Sequence, residues 1–243
     1  MLSGPSLTST SAAIALIGTS ALPLSNYLAN HVAGTKRRGL LYPLTVVFLA
    51  GTAVPVLAVR WLTRSGWIRD DFPIHDGHAA LLGISVVVGL CLIALALRGR
   101  LRGELRHIFR LLVALFAVSL AEVLVFLSIL FNLTEVAAGS LLRPPWASVA
   151  AAIVSSALFG LYHFTHPPPW NNWAQAARLF VVWLFVCLAY VLTRDAWTAT
   201  IIDTSFATIG FVRNRVTTLD DIPIVTALAL DALGIIFVVA IIR

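Results

Sequence analysis

Residues 111–131 read LLVALFAVSLAEVLVFLSILF, an apolar run of 21 residues broken by one charge, Glu122. At about 1.5 Å per residue, roughly 20 helical residues cross a hydrocarbon core of about 30 Å. In lipid a helix satisfies its own backbone polar groups, whereas a barrel strand would alternate apolar and polar residues. This run alternates nowhere, so it reads as a transmembrane helix over 108–131. Runs of similar length recur at 11–30, 40–62, 79–97, 147–165, 176–193, 196–212 and 222–242. Together they predict an all-α fold, a polytopic transmembrane bundle of about eight helices, as one domain over 1–243. The first run is the weakest, with Pro23, Ser25 and Asn26 inside it, and the seventh is interrupted by Asp203.

Composition agrees. Hydrophobic residues make up 59% of the chain and charged residues 12%, about half the share of a soluble domain. The net charge of +6 comes from 17 basic residues, of which only Lys36 is a lysine. These lie between apolar runs, where membrane loops hold them, so the basic character does not point to nucleic acid. Lys36 sits in a loop. With no lysine in a span, a retinal Schiff base is excluded.

Orientation follows from the loop charges. Lys36, Arg37, Arg38, Arg98, Arg100, Arg102, Arg106, Arg110, Arg178, Arg213 and Arg215 fall on one side, eleven in all. Arg60, Arg64, Arg69, Arg143, Arg194 and Arg243 fall on the other, six in all. The loop around 98–110 is therefore placed in the cytoplasm and both termini outside. The N-terminus lacks a basic leader region, so the first run is expected to be a retained helix. Cys91 and Cys187 lie in apolar segments and read as packing residues.

Two loops stand out. Thr63–His78 carries Arg64, Arg69, Asp70, Asp71, His75, Asp76 and His78. It is expected to be a solvated mixed-charge loop rather than a metal site. Pro167–Trp173 (PPPWNNW) must end the fifth helix, and its two tryptophans suit the headgroup belt.

Charges at bilayer depth are costly and usually face the bundle interior at functional positions. Four residues qualify: Glu122, His163 in SSALFGLYHFTH, Asp203 in WTATIIDTSFATIGF, and Asp231 in the last span. Each could instead be tied into an interhelical hydrogen bond, and Thr200, Thr204 and Ser205 could satisfy Asp203 locally. As a set they point to chemistry. A buried carboxylate can serve as a general base, and neutral histidine is a common zinc ligand. Glu122, His163 and Asp203, from three helices, could hold one divalent metal such as zinc or activate one water. His166 precedes Pro167 where the helix frays, and is expected to support the site or lie at an interface, with a ligand role as the alternative.

Phe159-Gly160-Leu161-Tyr162-His163 forms FxxxH, preceded by the small residues Ser155, Ser156 and Ala157. With Glu122 and the run Trp197–Asp203, it resembles the CPBP family of intramembrane proteases (the CAAX-prenyl-protease and bacteriocin-processing, or Abi, group). That family carries EExxxR, FxxxH and HxxxN on separate helices. Here Glu122 takes the first Glu position and Phe126 a frequent Phe position, but Val123 replaces the second Glu and Leu127 the Arg. Asp203 stands at the second His and Ala207 at the Asn. The resemblance covers roughly 108–212.

The resemblance implies a membrane protease cutting a peptide near the membrane surface, with Glu122 and His163 activating water and Asp203 supporting them. Ala207 cannot donate to an oxyanion, and losing one such donor costs about 10²–10³ in rate. The alternative it leaves open is an inactive subunit of the same fold that binds other membrane proteins. A proton or transport path through Glu122, Asp203 and Asp231 is a third reading, without an inverted repeat to support it. The expected surroundings are a lipid bilayer, in a bacterial or archaeal cell membrane, with a membrane protein or peptide as partner and no nucleic acid.

Overall fold

The computed structural model describes residues 9–31, 42–72, 78–98, 101–214 and 223–242, except for the side chains of 101–104. Within these residues every regular element is helical. Helix α1 is Ser9–His31, and α2 runs as a π segment, Pro43–Ala53, continued by Val54–Arg64. Helix α3 is His78–Leu97. Helix α4 joins Leu101–Val123, a π segment Leu124–Phe131, and Asn132–Gly139. Helix α5 is Pro144–Tyr162, with a 3₁₀ turn at His163–Thr165. Helices α6, α7 and α8 are Trp173–Thr193, Ala196–Asn214 and Ile224–Ile242.

Seven of these helices are long and apolar enough to cross a membrane. The protein is a multi-pass integral membrane protein whose surface meets the lipid bilayer. The remaining helix, α7, has 19 residues and is the most polar. It tolerates Asp203, Thr204 and Ser205 because α3, α4 and α6 surround it, so those residues face protein rather than lipid. Lipid-facing positions instead carry bare apolar side chains, such as Leu95, Val181 and Ile236. His75 and Asp76 of the polar loop lie outside the described residues, as do Lys36, Arg37, Arg38, Arg100, Arg215, Arg243 and the side chain of Arg102.

The π segment of α4 explains how α4 and α5 lock together. A π turn lengthens the hydrogen-bond step, so carbonyls along it are open to other donors. Ser155 Oγ donates to the Phe126 carbonyl at 2.7 Å, and Trp183 Nε1 donates to Ser155 Oγ at 3.1 Å. One serine thereby ties three helices. Cys187 is buried in the same packing, and Cys91 is exposed, neither in a disulfide.

The Thr63–His78 loop corrects one expectation. Asp71 and His78 are buried, not solvated. Asn132 Nδ2 donates to Asp71 Oδ2 at 2.9 Å and to the Tyr190 hydroxyl at 2.8 Å. His78 Nε2 meets Asp195 Oδ1 at 3.1 Å, and Arg194 grips Glu135 through both guanidinium arms at 2.7 and 2.6 Å. The loop folds inward because the polar ends of α4 and α6 supply partners there.

Burial pushes the Asp71 carboxyl up to about 7, against the hydrogen bond from Asn132. The folded chain therefore keeps a proton that the unfolded chain releases near 3.8. This contribution is fully present below pH 4 and is lost progressively as pH rises from about 4 to about 7, above which it stays lost. Unfolding midpoints in detergent should fall over that window in the wild type. Asp71→Asn should flatten that part of the profile.

Candidate functional site

Helix α5 terminates where Pro167 forbids a further turn. His163 is thus fixed on the last helical turn, next to the midpoint of α4. His163 Nδ1 lies 2.9 Å from the Phe159 carbonyl, which can only accept, so Nδ1 carries the hydrogen. In the neutral ring, Nε2 then offers its lone pair.

One carboxylate oxygen of Glu122 and one ring nitrogen from each of His163 and His166 all lie within 4.8 Å of one another. The His163 and His166 rings stack at 4.7 Å with 15° between planes. Glu122 and His163 are buried and His166 is half-buried. An aromatic wall of Phe126, Phe159, Tyr162 and Trp183 backs the cluster, with Phe159 stacked on Trp183 at 3.7 Å. Trp170 closes it from below, 6.4 Å from His163 and 5.4 Å from Phe211. Of the two headgroup-belt tryptophans, only Trp173 is exposed at the surface.

Asp203 reaches the site through Glu122, to which its carboxyl is hydrogen-bonded. Two carboxyls can share a hydrogen bond only with one proton between them. Local satisfaction does not occur. Thr200, Thr204 and Ser205 each donate to the backbone carbonyl one turn back, at 2.8, 2.7 and 2.9 Å. Asp203 Oδ2 is buried without a protein partner. The three-donor group is completed by His166, which the sequence placed beside the site, while Asp203 adjoins it. Asp231 stands apart, half-buried next to the Ala117 backbone.

The donor chemistry suits zinc: two imidazoles and one carboxylate, with one imidazole held by a carbonyl in the tautomer a metal needs. The sequence reading missed Asn26 and Tyr42, which reach the same turn from α1 and the start of α2. A signal was present, since Asn26 interrupts an otherwise apolar run.

Gly160 lets α5 and α6 meet behind the cluster. A Cβ there would stand 2.7 Å from the Ala176 carbonyl oxygen, a backbone atom that cannot step aside. Gly160→Ala should lower stability by about 1–3 kcal/mol, read as a shifted unfolding midpoint by tryptophan fluorescence.

Residues 104–209 match the family model described as type II CAAX prenyl endopeptidase Rce1-like. The matched stretch contains Glu122, His163, His166 and Asp203 and leaves out α1, α2, α3 and α8. Compared with curated proteins and with solved structures, the chain finds no match. With FxxxH at the end of one buried helix, its histidine against a carboxylate in the middle of another, and this match across both, residues 104–209 are similar to the CPBP family of CAAX-protease-like membrane proteins.

Proposed function

We propose that this protein is an intramembrane endopeptidase that hydrolyses a peptide bond near the cytoplasmic membrane surface. The convergence of Glu122, His163 and His166 within 4.8 Å carries the reading. In its ionised form Glu122 is the base, with the Asp203 carboxyl beside it. It takes a proton from a water whose oxygen adds to the scissile carbonyl carbon. The same proton passes to the departing nitrogen as the C–N bond breaks, giving one carboxylic acid and one amine. His163 presents Nε2 to the reacting centre because its Nδ1 is held by Phe159. The apolar wall keeps bulk water away and strengthens every charge interaction inside. Glu122, His163 and His166 would hold a divalent cation such as zinc. When bound, it supplies Lewis-acid polarisation of the carbonyl and the water.

The test uses purified protein in lipid vesicles with a membrane-anchored reporter peptide. Cleavage should be lost on His163→Ala, and on chelation if the cation is resident. Absence of wild-type cleavage, with and without added zinc, would overturn the proposal.

A second reading has its own observation. Val123, Leu127 and Ala207 replace three polar positions of the family motifs, and Val123 and Leu127 are fully packed. A chain of this kind would serve as a non-catalytic subunit, with a membrane protein in contact with its bundle.

A further inference from the structure

We infer that Asn26, on α1 and outside the matched stretch, is a positioning residue that sets the His166 ring for a divalent cation shared with Glu122 and His163. This rests on the cation-binding reading above. His163 needs no outside help, since it rides on a helix and its own carbonyl neighbour fixes its ring. His166 does need it. Its backbone is extended, at φ −89° and ψ 159°, one residue before Pro167 and beyond the last helical turn.

Asn26 is completely buried, so its amide must be satisfied inside the protein. Its Oδ1 accepts from the Tyr42 hydroxyl at 2.8 Å and from Asn30 Nδ2 at 2.9 Å. Both partners are donors, which fixes which end of the Asn26 amide is oxygen. Nδ2 therefore faces the His163–His166 turn, donating to Thr165 Oγ1 at 2.9 Å. Asn30 adds a second tie, donating to the Thr165 carbonyl at 3.0 Å.

The same Nδ2 lies 3.2 Å from His166 Nδ1 and 3.1 Å from its Nε2. Near-equal distances to two nitrogens of one ring put the amide out of the ring plane, against the π face. The contact fixes the tilt of the ring and leaves the in-plane nitrogen directions to other partners. An amide donor facing the ring also favours neutral imidazole, the form a metal binds. Polar partners of this kind, one step removed from the metal, typically change affinity by about 10–100-fold.

The experiment titrates Co²⁺ into the purified full-length protein in detergent micelles and follows the visible absorption of the bound ion. Wild type, Asn26→Ala, Tyr42→Phe and Asp71→Asn are compared. The expected result is one saturable Co²⁺ site in the wild type and in Asp71→Asn, which lies at the opposite end of the bundle. Asn26→Ala should weaken binding by about 10–100-fold and alter the visible band. Tyr42→Phe removes only the hydroxyl that anchors Asn26, so it should weaken binding in the same direction with an unchanged melting profile. If Asn26→Ala does not fold, Tyr42→Phe decides. Equal affinity and spectrum in wild type and both site variants would overturn the positioning role alone. No saturable Co²⁺ binding by folded wild type would overturn the cation reading and this inference with it.

Discussion

Glu122→Gln is expected to reduce cleavage of a vesicle-bound peptide to background, a loss of about 10²–10⁴-fold, the usual contribution of a positioned general base. The substitution keeps the volume of the side chain and can still hydrogen-bond to Asp203, so folding should survive. The melting profile should stay close to that of the wild type, which separates chemistry from stability. Asp203→Asn should cost less, because an amide can still donate to the Glu122 carboxylate. A Glu122→Gln protein that cleaves at the wild-type rate would remove Glu122 from the mechanism. A variant that unfolds would instead mean that the paired carboxyls hold the bundle together.

The largest effect on stability is expected at the other end. Asp195 is fully buried and opens α7. Its Oδ1 accepts from the Trp197 backbone N–H at 3.1 Å and its Oδ2 from that of Thr198 at 2.8 Å, while His78 contacts Oδ1. Asp195→Ala removes a helix cap, worth about 1 kcal/mol, and leaves buried donors without acceptors, at about 1–3 kcal/mol. A total loss of about 2–4 kcal/mol should appear in reversible unfolding in mixed micelles. Asp195→Asn keeps the cap oxygen and should lose less than half as much. Equal stability of Asp195→Ala and wild type would show that α7 does not depend on this cap.

The eight helices were legible because bilayer thickness and backbone satisfaction leave one reading for apolar runs of this length. Even α7, too polar to pass as a span by composition alone, was marked by its length between flanking breaks. Glu122 and His163 were legible for the same reason: lipid makes a charge at depth conspicuous. His166 was legible only as a support beside the site, not as one of the three donors, and Asn26 only as an interruption of an apolar run. His166 lies past a helix end, where sequence spacing says nothing about ring direction. Asn26 meets Thr165 and His166, 139 and 140 residues away, and reads locally as a flaw in α1. The burial of Asp71 and His78 was hidden likewise, since a mixed-charge loop looks solvated until Asn132, Tyr190 and Asp195 are brought to it by the fold.

The most direct test of the central claim is to measure metal stoichiometry and peptide cleavage on one purified sample, for wild type and Glu122→Gln side by side. Glu122, His163 and His166 acting as one hydrolytic centre should give cleavage in the wild type, with about one zinc per chain, and loss of cleavage in the variant, with zinc reduced. A well-folded wild type with neither metal nor cleavage, indistinguishable from its Glu122→Gln variant, would contradict it and leave the fold as a binding subunit.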